Sequence, residues 1–116
     1  MRITRRMDFS ASYRDAEGRT HGHNYVLEVT LSGPIDPATG MVIDLKHLKD
    51  VMELEIDRRF DHRSLSDDVP YFKDRPATPE NFAQLIFELL DRALPPRLLE
   101  RVALSPTRDL RVEVER

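Results

Sequence analysis

From Ile3 to Tyr13 the chain alternates. Odd positions Ile3, Met7, Phe9, Ala11 and Tyr13 are apolar, with Arg5 the exception, and even positions Arg2, Thr4, Arg6, Asp8, Ser10 and Ser12 are polar. Side chains two apart on a strand share a face, so this run predicts a strand with one buried face. Asp15, Glu17 and Gly18 break it. The alternation resumes with Tyr25, Leu27, Val29 and Leu31 against Asn24, Glu28 and Thr30, a second strand that closes a hairpin. His21 and His23 have the parity of Tyr25 and Leu27, so they begin the apolar face. Tyr13 lies on that face of the first strand, which brings three polar-tipped rings to one end of the hairpin.

The pattern then changes period. After a loop at Pro34, Asp36, Pro37 and Gly40 and a short extended piece, Met41-Val42-Ile43, Asp44 is the expected N-cap of a helix. Leu45, Leu48, Met52, Ile56 and Phe60 follow at helical spacing. Asp61 to Ala77 reads as a long loop. Thr78, Pro79 and Glu80 open a second helix, with its apolar stripe at Phe82, Leu85, Ile86, Leu89, Leu90 and Ala93 and its stop at Pro95-Pro96. Two more strands are predicted, Leu99 to Leu104 and Leu110 to Glu115. The order is β-β-α-α-β-β: an α+β domain with an antiparallel sheet and two helices on one face.

The 116 residues make a single domain, 1–116, and 40 % apolar against 34 % charged residues predicts a small core. A net charge of −3 argues against nucleic acid as a partner. No apolar run is long enough to span a bilayer or resembles a secretory signal, so no membrane partner and a cytoplasmic location are expected. The chain has no cysteine, hence no disulfide and no thiolate.

His21 and His23 carry the sharpest chemical signal. Two imidazoles on one strand face can converge on a metal or a substrate, though a hydrogen-bonded strand end is the plainer alternative. Catalytic zinc takes three protein ligands, and no other histidine is an obvious third. His47 is expected in solvent. His62, between Asp61 and Arg63, is either a histidine favoured at a helix C-terminus or a proton relay. Thr78 and Glu80 are accounted for as a helix start, and Glu17 as a turn residue.

Five segments together resemble the 6-pyruvoyl-tetrahydropterin synthase / 6-carboxy-tetrahydropterin synthase family: Phe9-Ser10-Ala11-Ser12-Tyr13, His21-Gly22-His23-Asn24-Tyr25, Gly40-Met41-Val42-Ile43-Asp44-Leu45, Phe60-Asp61-His62 and Thr78-Pro79-Glu80-Asn81. The resemblance implies the tunnelling fold, in which subunits join their sheets into a barrel, with trimers stacked into a homo-hexamer and sites between subunits. It implies zinc on His21 and His23, with the third ligand position falling on Tyr13, and proton-transfer partners at Asp61 and His62. The family's cysteine base falls on Glu17, and its pterin-anchoring glutamate on Pro106, beside Thr107. The loop between Tyr13 and His21 is shorter than the family's.

A neutral phenol, with a pKa of about 10, is a poor zinc ligand. From these departures the sequence predicts no cofactor, with zinc weak or absent. It also predicts a protein that binds a pterin-like heterocycle through Thr78 and Glu80 but no longer performs the synthase reaction. Two alternatives stand beside it: an active pterin side-chain lyase or aldolase with Glu17 as base, and a non-catalytic assembly or regulatory protein.

Overall fold

A computed structural model describes residues 1–116. Alternation in the first 32 residues becomes two long strands, β1 (Arg2–Arg14) and β2 (Thr20–Ser32), paired antiparallel throughout from Arg2↔Ser32 to Arg14↔Thr20. The turn between them, Asp15–Arg19, is closed by the Asp15 carboxylate, which accepts the backbone N–H groups of Glu17 and Arg19 (both 2.9 Å), with Gly18 at φ +82°. β4 (Leu99–Thr107) lies against β2, and β5 (Leu110–Glu115) against β4. β4 runs past the predicted Leu104 to Thr107. Pro106 falls where the β4–β5 register shifts, a position that needs no N–H donor.

The helices cover one face. Phe9, Ala11, Tyr25, Leu27, Val29 and Leu31 from the hairpin meet Leu48, Met52 and Ile56 from the first helix and Phe82, Ile86 and Leu90 from the last. Phe82 is the hub. Its ring lies 5.0 to 5.9 Å from those of Phe9, Tyr25, Phe60 and Phe72, all edge-on.

The first predicted helix forms with a fault in it. Asp44 caps α1 (Leu45–Met52), its Oδ1 accepting the Lys46 N–H at 3.0 Å. A π turn over Glu53–Asp57 then leads into α2 (Arg58–Phe60). The cause is visible in the spacing: Leu48, Met52, Ile56 and Phe60 recur every four residues. A 3.6-residue helix would rotate such a series off the core, and one wider turn brings it back. All four are buried, while Leu45, predicted on that stripe, is exposed.

The segment 61–77 is a correction. Predicted as a loop, it contains β3 (Arg63–Ser64), α3 (Leu65–Asp68) and a 3₁₀ turn (Pro70–Phe72). β3 pairs parallel with β1 through Ala11↔Arg63 and Ser12↔Ser64, giving a five-stranded sheet of order β3-β1-β2-β4-β5 that is not wholly antiparallel. Two-residue strands and one-turn helices are too short to show a period. Buried Leu65, Phe72 and Ala77 hold the segment down instead. The last helix, α4 (Pro79–Ala93), starts and stops as predicted, with Thr78 Oγ1 accepting the Asn81 N–H at 3.2 Å.

Candidate functional site

The hairpin end assembles the three rings the alternation predicts. Tyr13 and His21 are directly paired across the strands, and Ala11 is paired with His23. The Tyr13 ring stacks on His21 (5.3 Å between centroids, 19° between planes) and tilts over His23 (5.7 Å). His23 also sets its ring edge-on to buried Tyr25. His21 is already engaged: its Nε2–H donates to Asp15 Oδ2 at 2.7 Å. That bond, with the two backbone N–H groups of the turn, holds the Asp15 carboxyl below its ordinary value. Asp15 gave no signal in the sequence beyond that of a turn residue.

The second group sits on the neighbouring edge of β1. Asp61 accepts the Ser10 backbone N–H through Oδ1 (2.9 Å) and the His62 Nδ1–H through Oδ2 (2.8 Å). The Ser10 N–H is the largest reason its carboxyl lies below the usual range, against a desolvation that pushes it up, and His62 adds to the lowering. His62 itself adopts φ +60°, uncommon for a residue with a Cβ. Its backbone N–H is held by the Ser10 carbonyl at 2.6 Å, and β3 begins immediately after it. The local structure therefore over-determines an unfavourable backbone at this residue. The ring projects outward with Nδ1 occupied and Nε2 free.

His62 and His23 line one cavity of about 420 Å³, together with Ser10, Ser12, Asn24 and Arg63. Ser10 Oγ donates to Asn24 Oδ1 at 2.6 Å across its wall. The remaining sequence candidates stand apart from it. Glu17 is exposed on the turn, its N–H bonded to Asp15. Thr78 is occupied in capping α4, Glu80 is exposed, and neither lines this cavity. His47 is exposed on α1, as predicted. Ser10, Asn24 and Arg63 were missed, since polar positions on the outer face of a hairpin carry no distinguishing pattern.

A model of the family described as 6-pyruvoyl tetrahydropterin synthase matches residues 2–116. The chain belongs to that family. It is 42 % identical over 122 positions to a protein of Homo sapiens named 6-pyruvoyl tetrahydrobiopterin synthase, covering 90 % of this chain and 84 % of the human one. The protein of that name from Drosophila melanogaster is 40 % identical, covering 90 % of this chain and 73 % of its own. The solved structure of Caenorhabditis elegans 6-pyruvoyl tetrahydropterin synthase superposes with a TM-score of 0.92 at 36 % identity, covering 100 % of this chain and 95 % of that one. The fold is thus the family's tunnelling fold.

These relatives correct one expectation. A member that has lost the synthase reaction was predicted from Tyr13, Glu17 and Pro106, yet relatives at 40 % identity and above over 90 % of the chain are named as synthases, which points to a catalytic protein. The three substituted positions sit in a chain that otherwise keeps the family's fold over its whole length.

Enzymes of this family bind pterin substrates, are oligomeric and generally use zinc. The donors here do not fit a zinc held by three imidazoles. Two imidazoles and a phenol meet at the hairpin end, one imidazole is bonded to Asp15, and no three His, Asp or Glu side chains are grouped to hold a metal. No helix is long and apolar enough to cross a membrane.

Proposed function

We propose that the protein is an enzyme acting on the side chain of a reduced pterin, with Asp61 and His62 as its proton-transfer pair. One observation carries this: an Asp–His pair locked by the Ser10 backbone, with His62 lining a cavity that His23 also borders. A carboxylate kept ionised orients the imidazole through Nδ1 and leaves Nε2 free to take a proton from substrate and return it. The relatives' names favour conversion of dihydroneopterin triphosphate to 6-pyruvoyl tetrahydropterin with loss of triphosphate.

A second reading is favoured by the absence of cysteine. Glu17 then serves as base for retro-aldol cleavage of the dihydroneopterin side chain, giving 6-hydroxymethyl-dihydropterin and glycolaldehyde. In the proposed assembly, a homo-hexamer of two stacked trimers in the cytoplasm, Thr78 and Glu80 at the start of α4 contribute heterocycle contacts at a subunit boundary. Zinc on His21 and His23, with Tyr13 as third donor, is proposed to be weak, and no proton transfer is assigned to it.

The test is product analysis of purified protein with each substrate. Either product, lost on His62→Ala, supports the reading, and turnover of neither substrate sinks it. Equal rates for wild type and Glu17→Gln remove Glu17 from the mechanism.

A further inference from the structure

The turn that joins β1 to β2 fixes Asp15 through its backbone and through half of its side chain. Its N–H donates to the Arg19 carbonyl at 2.9 Å, and its carbonyl accepts the Gly18 N–H at 3.0 Å. Carboxylate Oδ1 accepts the N–H groups of Glu17 and Arg19. All of these bonds are made within the turn. Oδ2 is left over, and it meets His21 Nε2 at 2.7 Å with the Asp15 side chain only 23 % exposed.

Because the turn has already immobilised this carboxylate, holding the imidazole costs little further ordering. An ionised carboxylate only accepts, so the hydrogen between the two atoms belongs to Nε2. A metal binds an imidazole through a nitrogen that carries no hydrogen. An ion using Nε2 would have to break a bond to a charged partner, roughly twice as strong as a neutral one. No three His, Asp or Glu side chains are grouped to compensate for that loss. The Tyr13 ring packs against both His21 and His23. The side chains at the hairpin end therefore already hold one another: carboxylate to imidazole, imidazole to phenol, phenol to the second imidazole.

We propose that Asp15 takes a metal's place at this end of the hairpin. Its carboxylate ties the turn to β2 through His21, which makes His21 a structural group rather than a metal ligand. The hairpin end keeps its shape with no ion bound, and zinc is held weakly because one of its two imidazoles is already engaged. This role does not depend on which pterin reaction the protein performs.

NMR of the full chain with isotope-labelled histidine nitrogens tests it. After exhaustive chelation the wild-type His21 Nε2 resonance is that of a nitrogen bearing hydrogen, and equimolar zinc chloride leaves both His21 nitrogens in place. In Asp15→Asn the amide oxygen still accepts the two turn N–H groups, but the charge that strengthens the bond to His21 is gone. There zinc moves or broadens the His21 resonances. Thermal melts give a second reading. Chelation leaves the wild-type melting temperature unchanged, and Asp15→Asn and His21→Gln each lower it. The double variant falls no further than the lower of the two, because both remove the same bond. Movement of wild-type His21 with zinc, an Asp15→Asn protein that responds no more than wild type, a wild-type melt lowered by chelation, or additive losses each overturn the inference. None of these readings involves turnover, so their failure leaves the Asp61–His62 reading untouched.

Discussion

Tyr13 lies opposite His21 in the hairpin, its ring stacked on the imidazole at 5.3 Å, in the position that the family resemblance gives to a third zinc ligand. Replacing Tyr13 by His supplies that donor on a strand whose register is already fixed. Chelator competition on the purified variant should show zinc held at least about tenfold more tightly than by wild type, the lower bound for gaining a first ligand rather than a supporting contact. Unchanged affinity would mean that the two imidazoles do not face a common point.

Asp61 is the more consequential half of its pair. Asp61→Asn leaves the Ser10 N–H an acceptor but removes the charge beside His62 and the carboxylate that fixes its ring. Turnover of the pterin substrate should fall on the order of 100-fold or more while the far-ultraviolet circular dichroism is retained. A fall of twofold or less would move the proton transfer elsewhere.

The same carboxylate sets a pH dependence. Its pKa is lowered in the fold, chiefly by the Ser10 N–H, so its stabilisation is complete above the unfolded value of about 4. That stabilisation is lost as pH falls through the lower folded value. Thermal melts at pH 7 should therefore separate wild type from Asp61→Asn, and the gap should narrow as the pH is taken below about 4. A constant gap would show that the bond contributes through geometry rather than charge.

Phe82 touches four other aromatic rings and has no exposed surface. Phe82→Ala should cost about 3–5 kcal/mol in urea unfolding, as for other large aromatic truncations in cores. Phe87→Ala, on a half-buried position of the same helix, should cost clearly less. Equal costs would contradict the hub.

Long periodic elements were legible in advance. Thirteen paired positions along β1 and β2 leave one register that buries Phe9, Tyr25 and Leu27, so the meeting of Tyr13, His21 and His23 followed from parity alone. Asp44 and Thr78 announced their helices because capping is a local bond. What stayed hidden depends on contacts distant in sequence. The strand Arg63–Ser64 exists because β1 offers it an edge, and Asp15 matters because a tight turn swings it under His21. Function was misjudged for a related reason: single substitutions at a site are conspicuous, whereas the retained framework around them is spread over the whole chain.

The π turn at Glu53–Asp57 has a bearing on how such a protein changes over time. One residue added to or dropped from that stretch would twist everything beyond it by roughly a quarter turn, carrying Phe60 off its seat and the Asp61–His62 pair with it. The widened turn behaves like a ratchet tooth: it fixes the angle at which Asp61 and His62 are presented, from a point outside the cavity altogether.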